Sequence, residues 1–383
     1  MPRSCCRSFS RRNFLATVLA APQIVKASDA TARVAIARCP RYNNLVYDSL
    51  QTMFDQLGGL AGLVSNKTVT IKVNLTGAPE TRLNNTPVGS AQWVHWGVIG
   101  CTIALLGEAG AKRIQLCECA GDTSAPLEAF MVRAGWDPSY FINAAANVQL
   151  INTNVASRYS RVTVPFGGFL FPGYDLAPAY TECDVFVSLT KLKQHVMAGV
   201  TLSMKNIFGM LPLTIYGPSA GIDAPGTLTT GNRSEVMHVG SRKPSLSAPQ
   251  ELYPGVFRDA GGRLPRVITD LCAARPIHLA IIDGIETMTG AEGPWTSPVG
   301  LATPGVLIAG LNPVATDAVS MAVMGRDPMS AAGSPTFRGA DNMLELGEMA
   351  GLGTRRLANI EVAGEKIESV IYPFPPLAGQ TST

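Results

Sequence analysis

Charge is scarce in this chain: Asp, Glu, Lys and Arg make up 15% of 383 residues, and the formal net charge is only +3. Phosphate backbones are bound by clustered cations. Their absence excludes nucleic acid as an expected partner. No Cys-x-x-Cys occurs, nor any of the tight cysteine runs that hold iron–sulfur clusters, so such a cluster within this chain is not expected. Also missing are Gly-x-Gly-x-x-Gly, the phosphate loop and Gly-x-Ser-x-Gly, which disfavours a Rossmann dehydrogenase, a phosphate-loop ATPase and an ordinary α/β-hydrolase. Histidine is limited to His95, His195, His238 and His278, without the His-Glu-x-x-His spacing of a zinc protease. No apolar run reaches the ~20 residues of a membrane span without a charge or a Gly/Pro break, so stable membrane insertion is not expected.

What is present starts with an export address. Arg11-Arg12 precede Phe14-Leu15 and a short apolar run of about a dozen residues that includes Pro22, the pattern of a twin-arginine signal. Small residues suited to cleavage follow, after Ala27 or Ala30. The expected signal, residues 1–30, carries Arg3, Arg7, Arg11, Arg12 and Lys26 against Asp29. Removing that net +4 from the formal +3 leaves −1 for the rest. The expectation is a periplasmic or extracellular protein, passed folded through the twin-arginine translocase. Folded export often accompanies the insertion of a cofactor or metal.

Hydrophobic residues at 46% make residues 31–383 ample for one large α/β domain. Strand-length apolar runs occur at about 34–37, 69–73, 113–117, 184–188, 278–283 and 305–309. Helical patterns lie at about 44–57, 91–109, 125–134, 264–275 and 312–325. This alternation predicts a mostly parallel sheet with helices on both faces, whose ligands sit beyond the carboxyl ends of the strands. Two Gly/Pro-rich stretches, an insertion at about 210–262 and a loop at about 284–304, are long enough to cover those ends.

Polar residues at the strand ends therefore carry the functional reading. Lys72 and Asn74 close the second strand. Lys191, Lys193 and His195 follow the fourth, with Lys205-Asn206 ten residues on, and Asp283 ends the fifth. Lysines inside apolar text are costly without a compensating ligand, and would suit a small anionic molecule. Lys193, His195, Lys205 and Asp283 are the candidate catalytic groups, with His195 titrating near neutral pH. Lys72, Asn74, Asn206, Glu292 and Asp317 are candidate ligand-binding groups, while Lys191 is expected to face solvent. Two histidines, His195 among them, with a carboxylate from Asp283, Glu292 or Asp317 offer one possible metal site. Cys117 and Cys119, two apart in a strand, share a face and offer another.

At these residues the chain resembles the family known as domain of unknown function 362. The matching motifs are Lys72-Val-Asn74, Gly107-Glu-Ala-Gly-Ala111, Leu189-Thr-Lys-Leu-Lys-Gln-His195 and Leu202-Ser-Met-Lys-Asn-Ile-Phe-Gly209. They continue in Asp283-Gly-Ile285, Gly290-Ala-Glu-Gly-Pro294, Ala315-Thr-Asp-Ala318, Gly325-Arg-Asp-Pro328 and Gly351-Leu-Gly353. The resemblance implies an α/β domain with a polar site at Lys193, His195, Lys205 and Asn206. Some members carry an appended ferredoxin-like domain, which implies redox work for those. This chain lacks the cluster cysteines, so electron transfer here would need a periplasmic redox partner or another cofactor, and the cofactor remains unknown from sequence. The functional expectation is an exported enzyme acting on a small anion. The alternative is a non-catalytic metal- or ligand-binding or maturation protein, or a subunit of a redox complex.

Overall fold

A run of seven buried residues, Val185 to Lys191, forms a strand at the heart of the protein. A computed structural model describes residues 32–121 and 123–377. The Arg11-Arg12 motif and both cleavage sites lie outside the described residues.

In chain order the strands are β1 (Ala32–Arg38), β2 (Thr68–Val73), β3 (Arg113–Glu118), β4 (Val148–Asn152), β5 (Ser160–Thr163), β6 (Gly173–Leu176) and β7 (Val185–Lys191). They continue with β8 (Lys193–His195), β9 (Gly199–Thr201), β10 (Leu279–Gly284), β11 (Thr287–Thr289), β12 (Gly300–Ala302), β13 (Val306–Gly310) and β14 (Ile360–Gly364). Eight of them form one sheet in the order β14-β1-β13-β10-β7-β2-β3-β4. β13 is antiparallel to both neighbours, and the other pairings are parallel. The fold is thus α/β with a mostly parallel sheet, as the strand–helix alternation predicts.

Alternation along the strands divides the core in two. Val69, Ile71, Val185, Val187, Leu189, Leu279 and Ile281 face a layer containing the helices Leu45–Gln56 and Trp96–Glu108. Phe186, Ala280 and Ile282 face the other, with the helices Ala260–Ala274 and Pro313–Val323. Burial on both faces explains why β7 and β10 are continuously apolar up to their last residues.

Local signals set the helix starts. Asp259 accepts from Gly262 N at 2.8 Å and starts its helix at Ala260, several residues before the sequence pattern suggests. Asn312 caps the helix that Pro313 opens, accepting from Ala315 N at 3.0 Å. Among the described residues no helix is long and apolar enough to cross a membrane.

The order of strands also places a crevice. From β2 the chain steps outward to β3 and β4, then returns to lay β7 on the opposite side of β2 and steps on to β10. β2 and β7 therefore flank the point where connections depart in opposite directions, which is where an open α/β sheet is expected to form its ligand crevice.

Lys191, expected to face solvent, is instead fully buried. Its Nζ lies 2.9 Å from Asp283 Oδ2, 2.8 Å from Tyr42 Oη and 2.7 Å from Gly89 O. The run of lysines turns inward because β7 is central and both its faces are covered. This pair ties β7 to β10. Lys191→Met would leave Asp283 as an uncompensated buried charge, and chemical denaturation is expected to show a loss of about 3–5 kcal/mol. A loss below about 1 kcal/mol would show that the pair does not hold these strands.

Candidate functional site: a buried lysine and asparagine centre at the strand ends

Three side chains at the switch point are locked together beneath the crevice. Lys72, on the last turn of β2, points to the layer away from Val69, Ile71 and Val73, and is 1% exposed. An isolated ammonium there would be very costly. Glu118 at the end of β3 compensates it at 2.6 Å, and Val73 O accepts from Nζ at 2.7 Å. Glu118 is itself held by the backbone N–H groups of Leu75 and Cys119, at 2.8 and 2.9 Å. Asn206 completes the group. Its Nδ2 donates to Lys72 O at 2.9 Å and Ser188 Oγ at 3.0 Å, while its Oδ1 is 3.4 Å from Lys72 Nζ. It thereby stitches β2 to β7 across the crevice floor.

Asn206 and Lys205 sit on the short helix Ser203–Asn206, and Asp317 explains its position. The Asp317 carboxylate accepts from Ser203 N at 2.8 Å, Ser203 Oγ at 2.6 Å and Met204 N at 2.9 Å. Burial pushes its pKa up to about 7 against those hydrogen bonds. Asp317 is thus spent on capping the helix, and positions Lys205 and Asn206 from behind. It does not face the crevice as a ligand group.

Above this floor lie the remaining candidates. Lys193 Nζ is fully buried and donates to the carbonyls of Gln92 (2.7 Å) and Glu292 (2.8 Å). Burial, reinforced by Lys205 and Lys191, pushes its pKa well below the usual lysine value. The Glu292 side chain bonds Val196 N at 3.1 Å and Trp295 Nε1 at 3.2 Å, and stands 3.8 Å from His195 Nδ1. The loop at about 284–304 therefore closes over β8, as its length suggests.

His195 departs from expectation. Burial, with Lys205, His238 and Lys193 nearby, holds its pKa well below 6.5, so it is neutral at pH 7 and does not titrate near neutrality. Nδ1 accepts from Met197 N at 3.1 Å, which leaves the ring proton on Nε2 as a donor.

Lys205 is the group poised to change charge. It is half-buried, its Nζ lies 4.5 Å from the Phe208 ring, and it makes no hydrogen bond or ion pair with any described residue. Burial, against the opposing charge of Glu292 and helped by the cations Arg233 and Lys72, brings its pKa down to about 8. On the same side, His238 stacks against Phe208 with ring centroids 5.3 Å apart, and burial holds its pKa down to about 3. Four polar atoms around this centre are buried without a hydrogen-bond partner: Asn74 Oδ1, Gln92 Oε1, Arg233 Nη2 and His238 Nε2. Each such atom costs about 1–3 kcal/mol, the deficit that a ligand relieves. Arg233 and His238 come from the long insertion, where no periodic pattern announces them.

Two other candidate groups lie elsewhere. Asp283 belongs to the opposite face, bonded to Lys191, Tyr42 Oη and His95 N, and is not brought to His195 or Lys205. Cys117 and Cys119 are buried, and burial pushes both thiols up, away from the thiolates that bind metal. All six described cysteines are free. Among the described residues no group of three or more His, Cys, Asp or Glu is arranged to hold a metal ion. Asp283 and Asp317 are therefore not brought to His195, which corrects that pairing.

An open, mostly parallel α/β sheet with a Lys-Glu-Asn floor at its switch point defines the structural class. A family model described as "Domain of unknown function (DUF362)" matches residues 69–322, and the chain belongs to that family. No curated protein matches it. Among solved structures, a protein from Thermotoga maritima is similar at a TM-score of 0.36 and 12% identity, over 79% of this chain and 58% of that one. The chain thus spans a little over half the length of that structure.

Gly209, which ends the Lys-Asn-x-x-Gly motif, leaves the space that the Lys72–Glu118 pair occupies. A Cβ there would lie 2.9 Å from Lys72 Nζ and 3.3 Å from Glu118 Oε1. Gly209→Ala should displace the Lys72 ammonium and cost about 1–3 kcal/mol in denaturant unfolding. Unchanged stability would show that the pair has room to spare.

Proposed function

We propose that this protein is an exported enzyme that binds a small anionic substrate over the Lys72–Glu118–Asn206 floor. The observation that carries the reading is Lys205. It is a cation at the switch point with no carboxylate at ion-pair distance and no hydrogen-bond partner among the described residues, beside an Arg233 with one orphaned N–H. An anion there would satisfy Lys205 and Arg233 Nη2 together, while His195 Nε2–H supplies a directional neutral hydrogen bond. Because His195 is held neutral, Lys205 is the better acid–base group: at a pKa of about 8 it gives up and regains a proton near working pH. Lys193, whose pKa burial pushes well below the usual lysine value, orients the Glu292 loop through its backbone carbonyl.

Export rests on the Arg11-Arg12 motif, with the twin-arginine translocase as the partner and the periplasm or exterior as the destination. If the chemistry is redox, the electrons must come from a periplasmic partner or a bound cofactor. Glu292 beside His195 is the remaining pair to test for a metal. The rival reading is a protein that stores or delivers its ligand without turnover.

Two measurements test this. The full-length protein, expressed with its export route intact and purified natively, is expected to release one anionic species in stoichiometric amount. Elemental analysis of the same sample tests for a metal. Lys205→Ala should purify folded and without the anion; a folded Lys205→Ala protein that keeps it sinks the assignment. Turnover separates the enzyme from the storage protein.

The pH dependence follows from the same lysine. Its folded pKa is depressed, so it loses its charge as pH rises through about 8. Affinity for the anion is expected to fall across that step when titrated calorimetrically between about pH 7 and 9.5. Flat affinity in wild type would remove Lys205 from the binding site.

A further inference from the structure

A cavity of about 430 Å³ lies away from the lysine centre, in the layer of the helices Leu45–Gln56 and Trp96–Glu108. That volume falls within the range of small-molecule sites. Its walls include five rings, those of Tyr42, Tyr47, His95, Trp96 and Tyr140, and one carboxylate, Asp48. No lysine or arginine lines it.

The rings are held in place. His95 stacks on Tyr42 with centroids 3.6 Å apart and planes 8° from parallel. Trp96 meets Tyr140 nearly at right angles, 85° at 5.0 Å, which makes an aromatic corner. Tyr140 packs closely against its neighbouring helix because Gly100 has no side chain: a Cβ there would fall 2.3 Å from the ring. Tyr47 is fixed by a hydrogen bond from its hydroxyl to Glu108. Trp96 and Tyr140 remain 42% and 43% exposed, so the corner is open to an incoming molecule.

The charges point one way. His95 is neutral, its pKa brought down to about 4 by burial, and its Nδ1 accepts from Gly97 N at 3.0 Å. At the back, Lys191 is already neutralised by Asp283. Asp48 and the ring faces are therefore the electrostatic features left to a ligand, and both favour positive charge.

We propose that this cavity is a second binding site, for a small organic cation of the alkylated-ammonium class. The ammonium would sit against the Trp96–Tyr140 corner with Asp48 as its counter-charge. The site lies on the opposite face of the sheet from the Lys205 crevice and does not rest on the anion reading.

The test uses the purified full-length protein titrated with choline and, separately, with its neutral carbon isostere, followed by calorimetry and tryptophan fluorescence. Choline is expected to bind at least roughly tenfold more tightly than the isostere. Asp48→Asn, a change at an exposed position that leaves the fold alone, should remove most of that preference. Trp96→Ala should abolish both the binding and the fluorescence response. Equal affinity for the two probes, a choline preference that survives Asp48→Asn, or no choline binding at about 100 times a typical millimolar constant would overturn the proposal.

Discussion

Burying an ammonium at the end of a parallel strand is the constraint on which this structure turns. A lysine without water must find a carboxylate or a set of carbonyls, and three lysines here are inaccessible. Lys72 has Glu118, from the strand beside it. Lys191 has Asp283, from the strand on the other side. Lys193 has only the carbonyls of Gln92 and Glu292. The two ion pairs stand on opposite faces of one sheet and tie β3 to β2 and β7 to β10. The third lysine fastens a loop over the strand ends.

Such pairs contribute little net stability against apolar residues of the same shape, because desolvation offsets their attraction. What they supply here is position. The Lys72–Glu118 pair fills the space left by Gly209, and Asn206 binds it to β7. Asp317 in turn holds the helix that carries Asn206 and Lys205. Once these carboxylates are committed, Lys205 is left with no carboxylate at ion-pair distance, and Glu292 acts on it only from further off. The imbalance is local: the chain as a whole is nearly neutral, yet its switch point carries cationic and donor groups in excess.

Much of this was legible in the residues. The six apolar runs correspond to β1, β2, β3, β7, β10 and β13, and the five helical patterns to helices, because buried strands and amphipathic helices have different periods. β4 and β14 went unread: β4 is only partly covered and β14 lies at the sheet edge, so neither has a continuous apolar text. The Lys-Asn-x-x-Gly spacing pointed to Lys205, Asn206 and Gly209, and Lys72-Val-Asn74 to the floor beneath them. That Lys191 is buried along with Lys193 could not be told, since a lysine at the end of an apolar run can as well face solvent. Asp283 and Asp317 look alike as well, each an acid at the end or start of a regular element. Only their neighbours in space distinguish a strand-bridging counter-ion from a helix cap.

The sequence by itself determined the class of fold, the strand ends as the place to look, and the family to which the chain belongs. The first two rest on periodicity and spacing, and the family on the resemblance of its motifs; all are local properties. The tertiary structure decided which charges cancel, that His195 is neutral, that Arg233 and His238 of the insertion reach the crevice, and that Tyr42 and His95 meet beside an aromatic cavity. Those depend on contacts between residues far apart in the chain, where burial and through-space charge, rather than neighbouring letters, set each group's chemistry.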